Sequence, residues 1–128
     1  MKASAAINAY TQNAARVESP EKLILMLFEG ILRFSAQAKK SIEINDVEKR
    51  VYWVNRAIDI FAELINSLDF DKGENVAIYL NGLYCHQIYL LTQANMENDS
   101  THIDTVISVT KGLIDAWKEV TGIGTEAA

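Results

Sequence analysis

Cys85 and His86 offer the clearest chance of chemistry in this sequence, because a thiol beside an imidazole can form a nucleophile and its base. The two residues are adjacent in a segment whose apolar spacing predicts a helix. Neighbouring side chains on a helix point about 100° apart, so the imidazole would not face the thiol. We therefore interpret Cys85 as a buried structural cysteine and His86 as a partly exposed helix residue.

Metal and cofactor sites lack their usual sequence patterns. A di-iron helical bundle needs paired Glu-x-x-His motifs, and a covalently bound haem needs Cys-x-x-Cys-His. The chain has one cysteine and two histidines, which excludes an intrachain disulfide and a multi-cysteine zinc site. It also contains no glycine-rich phosphate loop, nucleophile elbow or His-Glu-x-x-His motif. We predict no catalytic residues, no metal and no cofactor, and hence a protein that is not an enzyme.

The composition favours a folded protein that does not bind nucleic acid. Hydrophobic residues make up 49% of the 128 residues, enough to build a core. Acidic residues outnumber basic ones by 17 to 12, giving a formal charge of −5, and a chain of this charge binds a phosphate backbone poorly. The longest apolar run, residues 23–28, is far shorter than the ~20 residues of a membrane-spanning helix. Residues 1–18 also lack a signal-peptide core, so we predict a soluble protein without membrane insertion.

Helix boundaries are predicted from cap residues and apolar spacing. Pro20 is the only proline, and Ser19 before it is a good N-cap, so the first helix is expected to begin there. Asp46 is a plausible N-cap for the second helix. Residues 69–74 are interpreted as the next turn, with Gly73 able to adopt positive φ, and Gly122 is predicted to end the last helix. The predicted helices cover residues 20–44, 47–68, 75–95 and 101–121.

Four helices of this length, joined by short loops, fold most simply as an antiparallel bundle. We therefore predict an all-α fold, an antiparallel up-down four-helix bundle with an N-terminal strap. Residues 1–18 are the predicted arm or strap, residues 19–122 the bundle, and residues 123–128 a flexible tail.

The helices carry more apolar surface than a bundle core needs. On the second helix, a heptad seam predicts the core and consists of Val47, Val51, Val54, Ile58, Phe61, Ile65 and Leu68. A second row beside it consists of Trp53, Ala57, Ile60 and Leu64. The third helix carries a second row of Ile78, Gly82, Cys85 and Tyr89 beside its predicted core stripe of Val76, Leu80, Leu83, Tyr84, Leu91 and Ala94. On the fourth helix, Trp117 and Val120 are among the residues predicted to point inward. The second rows fit either a thick core or an open groove for a partner helix or extended peptide.

Three segments carry more specific patterns. The string SPEKLILMLFEG spans residues 19–30, with Tyr10 and Asn13 upstream. The string LLTQANMENDSTHI begins at residue 90, and DAWKEV contains Trp117. In their order and spacing, from about residue 8 to residue 120, these segments resemble the FliS family, the flagellin export chaperones.

This resemblance implies a function as well as a fold. A member of the family would bind newly made flagellin in the bacterial cytoplasm, at the disordered C-terminal segment that otherwise drives filament assembly. It would prevent premature polymerisation and deliver flagellin to the flagellar type III export gate, without ATP or metal. Two positions depart from the family pattern: Phe28 stands where tyrosine is usual, and Tyr89-Leu90 stands where a basic pair is common. The second departure makes the surface more apolar and raises the chance of an additional protein partner, such as a co-chaperone.

The partner-binding residues are predicted on the arm and on the second rows. Ile7 and Tyr10 of the arm are expected to cover part of a client groove in the empty state. The groove itself is predicted along the second and third helices, at Trp53, Ala57, Ile60, Leu64, Ile78, Gly82, Cys85 and Tyr89. Ser19, Pro20 and Trp117 are assigned structural roles. The alternative function is a helical ligand-sensing or regulatory bundle with a buried pocket ringed by convergent polar groups.

Overall fold

Four helices account for almost all of residues 19–124, the part of the chain that the computed structural model describes. They are α1 (Pro20–Glu43), α2 (Val47–Asn66), α3 (Phe70–Glu97) and α4 (Thr101–Thr121). Three-residue connections force consecutive helices to run in opposite directions. α1 packs against α2 and α4, and α3 packs against the same two helices, so the four form a closed square. The predicted all-α four-helix bundle is confirmed.

The helix ends follow the local chemistry of the sequence. Ser19 is the N-cap of α1, and its hydroxyl accepts a hydrogen bond from the Lys22 backbone N–H at 3.3 Å, with Pro20 in the first helical position. The Asp46 carboxylate caps α2 in the same way, accepting from the Lys49 N–H at 3.1 Å. Gly122 ends α4 with φ of 75°. These three predicted boundaries are confirmed.

The start of α3 differs from the prediction. The helix begins at Phe70, because the Asp69 carboxylate accepts hydrogen bonds from the backbone N–H groups of Asp71 and Lys72. The expected turn is instead a kink inside the helix, where Glu74 adopts φ of 48° and ψ of −124°. Gly73 does not take positive φ. It is small because a Cβ at that position would lie 2.8 Å from the Cβ of Ala77.

Both apolar rows of α2 contribute to the core. Val54 and Phe61 of the predicted seam are fully buried, as are Ala57, Ile60 and Leu64 of the second row. The expectation that the second row is surplus surface is wrong for these three residues. The reason is that α2 packs against α1 on one side and α3 on the other, so its buried face is centred between the two rows. The seam residues Val47 and Val51, near the start of the helix, are exposed.

Two valines predicted to point inward lie on the surface. Val76 in α3 and Val120 in α4 are both strongly exposed, although Tyr84 and Leu91 on α3 are buried as expected and Ile114 on α4 is also buried. Both valines lie at the end of the bundle where α1 begins, so they fall beyond the level at which four helices enclose a core. Their position brings them to the mouth of a cavity.

Candidate functional site

An apolar cavity of about 610 Å³ opens at this end of the bundle. Every helix contributes to it: α1 and α3 with residues near their starts, and α2 and α4 with residues near their ends. Its walls are mainly aliphatic and aromatic and include Ile24, Phe28, Leu68, Val76, Leu80, Trp117 and Val120. Since apolar surface in contact with water is unfavourable, such a cavity is suited to binding an apolar partner.

Trp117 forms a fixed wall of the cavity. Its indole Nε1–H donates a hydrogen bond to the backbone carbonyl of Glu21 at 2.8 Å, which ties the end of α4 to the start of α1. The indole also packs edge-to-face on Phe28, with ring centroids 6.4 Å apart and planes at 88°. The indole held by these contacts gives the cavity a preformed shape, and the structural role of Trp117 stays a prediction.

Ser67 and Asp69 at the cavity rim are engaged within the fold, and Lys72 is the other charged residue of the lining. The Ser67 hydroxyl donates to the Leu64 carbonyl oxygen at 2.9 Å, and the Asp69 carboxylate caps α3. Few polar groups are therefore directed at an occupant. The site is built to select by shape and apolar burial rather than by a set of hydrogen bonds.

Tyr84 lines the inner side of the cavity and is almost fully buried. Its ring packs on Phe61, with centroids 6.0 Å apart. Burial raises the pKa of the Tyr84 hydroxyl to about 12, because the phenolate would lose its hydration.

This pKa shift predicts an alkaline loss of stability that depends on Tyr84. In the unfolded chain the Tyr84 hydroxyl ionises near pH 10, whereas in the folded state it stays neutral up to about pH 12. The free energy of unfolding is therefore unaffected by this group below pH 10 and falls as the pH rises from 10 towards 12. By pH 12 we expect wild type to lose about 2 kcal/mol more than Tyr84→Phe, which has no proton to lose at this site. Urea unfolding of both proteins at pH 9 and pH 11.5 measures the difference, and parallel losses would contradict the burial of this hydroxyl.

The predicted partner-binding residues that lie within residues 19–124 do not share one surface. Ile78, Gly82, Cys85 and Tyr89 are exposed on the outer side of α3. Ala57, Ile60 and Leu64 instead face the core, and Leu64 contributes to the inner lining of the cavity. Trp53 is half-buried and stacks on Phe34 at 5.5 Å. Ile7 and Tyr10 lie outside the described residues, so their predicted role remains a prediction.

The interpretation of Cys85 as a buried cysteine is wrong. Cys85 is exposed, and its thiol makes a long contact of 3.9 Å with the Asn81 side-chain oxygen. It lies on the face of α3 that is turned away from the buried residues Tyr84 and Leu91. The residues that the sequence did not point to are those of the cavity mouth, above all Ile24, Val76 and Val120. The available signal was the presence of apolar residues in the terminal turns of all four helices at the same end.

One group of possible metal ligands occurs within residues 19–124. Glu97, Asp99 and His102 surround the α3–α4 connection, where His102 Nε2 lies 3.4 Å from Glu97 Oε1 and 4.0 Å from Asp99 Oδ2. Asp99 also accepts hydrogen bonds from the backbone N–H and the hydroxyl of Thr101, which lower the pKa of its carboxyl group. We interpret the group as a polar cap on the start of α4.

Comparison with known proteins decides the family. The family model described as "Flagellar protein FliS" matches residues 3–123. The chain belongs to the FliS family. A "Flagellar secretion chaperone FliS" from Campylobacter jejuni is 58% identical over 120 residues, 94% of each chain. Proteins of the same name from Salmonella typhimurium and Bacillus subtilis are 33% and 30% identical, covering 94% and 87% of this chain and 93% and 82% of their own. These names describe a chaperone, which is not a class of enzyme.

The residues that carry the FliS resemblance have identifiable positions in the bundle. Phe28 lies in the cavity wall against Trp117. At the opposite end, the Arg50 guanidinium donates to the side-chain oxygens of Asn95 and Asn98, each at 2.9 Å, which joins α2 to the end of α3. The FliS pattern therefore marks both ends of the bundle. In the part of the chain that the structure describes, no helix is long and apolar enough to cross a membrane.

Proposed function

We propose that this FliS-family chain is a cytoplasmic chaperone for flagellin. It binds the disordered C-terminal segment of flagellin, prevents premature polymerisation and delivers the subunit to the flagellar type III export apparatus. The observation that carries this proposal is the apolar cavity of about 610 Å³ that opens at one end of the bundle. The names of the relatives supply the context of flagellar secretion.

The energetics of the cavity suit a client that is disordered when free. Ordering such a segment costs roughly 1–2 kcal/mol per residue in backbone entropy. Burying apolar surface stabilises a complex by about 25 cal/mol for each Å². Val76 and Val120 are strongly exposed and offer apolar surface that a client can bury. Because the rim presents few polar groups, a client enters with apolar side chains on one face, as in other helix-in-groove complexes.

The N-terminal arm directly precedes α1, so it can compete with the client for the cavity. α1 begins at Pro20, and Ile24 in its second turn already lines the cavity. The eighteen residues that precede Ser19 therefore lead directly to this end of the bundle. We propose that Ile7 and Tyr10 cover the cavity in the absence of client and are displaced by it.

The alternative of a ligand-sensing or regulatory bundle is less well supported. A cavity of this size lies within the range of ~300–1,000 Å³ seen for small-molecule sites. Such sites also carry a few polar groups aimed at the ligand; here Ser67 and Asp69 at the rim are engaged by the backbone, which leaves Lys72 as the charged side chain of an otherwise apolar lining. The apolar walls favour a polypeptide client.

The fluorescence of Trp117 tests the proposed function. The chain has two tryptophans, and Trp53→Phe leaves only Trp117, in the cavity wall. Titration with a tryptophan-free peptide of the flagellin C-terminal segment should shift the Trp117 emission to shorter wavelengths and then saturate, because the peptide excludes water from the indole. An N-terminal flagellin peptide of equal length is the control and should leave the emission unchanged.

Two other results would count against this proposal in different ways. Heat released on mixing, without a change in Trp117 emission, would show that flagellin binds at another surface. No binding of the C-terminal peptide by calorimetry would remove flagellin as the client.

A further inference from the structure

Tyr84 carries a hydroxyl group that the fold leaves without a hydrogen-bond partner. The residue is 4% exposed, and its ring is held against Phe61. Within residues 19–124, no backbone or side-chain group forms a hydrogen bond with the Tyr84 hydroxyl. Buried tyrosine hydroxyls normally find a partner, so this one requires an explanation.

The Tyr84 hydroxyl opens on the cavity. The side-chain atoms that are completely enclosed and unpaired within residues 19–124 are Ser35 Oγ, Arg56 Nε and Gln87 Oε1, and the Tyr84 oxygen is not one of them. It therefore keeps a small accessible surface. Because Tyr84 lines the cavity and the rest of its side chain is buried, this surface lies on the cavity side. The hydroxyl is thus directed at whatever fills the cavity.

The hydroxyl is separated from the polar groups of the cavity rim. Ser67, Asp69 and Lys72 lie where α2 ends and α3 begins. Tyr84 comes twelve residues after Lys72, which is about three helical turns further along α3. Apart from these groups and the engaged indole of Trp117, the lining side chains are aliphatic or aromatic hydrocarbon. The Tyr84 hydroxyl is therefore an isolated polar point in the apolar interior of the site.

We propose that the Tyr84 hydroxyl donates a hydrogen bond to a carbonyl oxygen of the client and so fixes how deeply the client enters the cavity. This inference rests on the proposed function and names the group that the flagellin segment must bring to the site. The carbonyl belongs either to the main chain, where it is unpaired in an extended stretch or in the last turn of a helix, or to an asparagine or glutamine side chain.

Filling the cavity makes this hydrogen bond necessary. While the cavity is open, water reaches the hydroxyl. A client that excludes the water and brings no acceptor leaves a buried polar group unpaired, which weakens its binding. Burial raises the pKa of Tyr84 to about 12, so the hydroxyl keeps its proton at neutral pH and remains a donor. The fold gives no reason for the hydroxyl, because phenylalanine would make the same ring contact with Phe61.

Tyr84→Phe tests this contact in calorimetric titrations with the flagellin C-terminal peptide. The variant should lose affinity by about fivefold or more, the effect of one hydrogen bond in an apolar site. Its melting temperature at neutral pH should not fall, since the removed oxygen has no partner in the fold. Tyr79→Phe is the matched control, because Tyr79 lies on the same helix, is 67% exposed and does not line the cavity. The control should bind like wild type.

A second peptide identifies the acceptor. In this peptide every asparagine and glutamine is replaced by alanine. A loss of affinity on Tyr84→Phe that persists with this peptide assigns the hydrogen bond to a main-chain carbonyl. A loss that disappears assigns it to a side-chain amide. Both results support the proposal.

Two small ligands of the same shape test the hydroxyl without flagellin. Acetophenone has a carbonyl oxygen where α-methylstyrene has a CH2 group, and both are small enough for a cavity of about 610 Å³. In titrations followed by NMR, Tyr84→Phe should weaken acetophenone binding by about threefold or more relative to α-methylstyrene. Tyr79→Phe should leave the ratio of the two affinities unchanged.

The proposal is overturned if Tyr84→Phe binds the peptide as tightly as wild type or loses no more affinity than Tyr79→Phe. It is also overturned if both small ligands respond alike to Tyr84→Phe, or if neither binds to wild type. A wild-type protein that does not bind the peptide, but whose two small ligands differ in the predicted way, would remove flagellin as the client and retain Tyr84 as a carbonyl-binding group.

Discussion

We expect Ile60→Glu to abolish cooperative folding. Ile60 is 1% exposed and lies in the centre of the bundle core, where the carboxylate would have neither water nor a basic partner. Burying a charge in this way costs several kcal/mol, and breaking the surrounding packing adds to the loss. A domain of this size has only ~5–15 kcal/mol of total stability. Circular dichroism during urea unfolding measures the effect as a loss of the folded baseline or a much lower midpoint.

Ile78→Glu is the control for this experiment. It makes the same substitution on a neighbouring helix at a residue that is 63% exposed, so the free energy of unfolding should change by no more than about 0.5 kcal/mol. An Ile60→Glu protein with a wild-type unfolding midpoint would show that the second row of α2 is not part of the core.

The helix boundaries were predictable because they depend on local chemistry. Ser19 and Asp46 each accept a hydrogen bond from a backbone N–H three residues further on, and the Gly122 N–H donates to the carbonyl four residues before it. The start of α3 was less predictable. Asp69 caps the helix early and Glu74 kinks it, and a turn and a kinked helix have similar residue patterns.

The assignment of faces failed where it depended on neighbouring helices. Periodicity shows that Ile60 and Leu64 share one side of α2, but it does not show how wide the buried face is. That width follows from contact with both α1 and α3, which bury Ile60 and Leu64 nearly as fully as Phe61. Within residues 19–124, α3 has one neighbouring helix on each flank, and its residues Ile78 and Tyr89 are exposed.

The cavity was not predictable from any single stretch of sequence. Its walls come from four helix ends that are far apart along the chain, such as Ile24 near the start of α1 and Val120 near the end of α4. Taken within its own helix, each of these residues fits an ordinary core pattern. Only the end-to-end alignment of the helices shows that some of them lie beyond the enclosed core.

We expect Val120→Glu to weaken binding of the flagellin C-terminal peptide by tenfold or more while the protein stays folded. Val120 is 81% exposed in the free protein and forms part of the cavity mouth, so a glutamate there remains hydrated until a client arrives. An apolar client would then have to strip water from the carboxylate. A penalty of about 1.4 kcal/mol is enough for a tenfold loss of affinity, and an unpaired charge at an apolar contact exceeds that value.

The matched control is Ile44→Glu. Ile44 is a large apolar residue that is 58% exposed, and like Val120 it lies at the C-terminal end of a helix, so both glutamates face the same unfavourable helix dipole. Ile44 differs in lying at the opposite end of the bundle, away from the cavity. Both variants should unfold within about 1 kcal/mol of wild type.

Calorimetric titration of wild type, Val120→Glu and Ile44→Glu with the flagellin C-terminal peptide tests most directly whether the cavity is the client site. The predicted result is a loss of affinity of tenfold or more for Val120→Glu, with wild-type affinity for Ile44→Glu. Equal affinities of all three proteins would contradict the assignment of the client to the cavity.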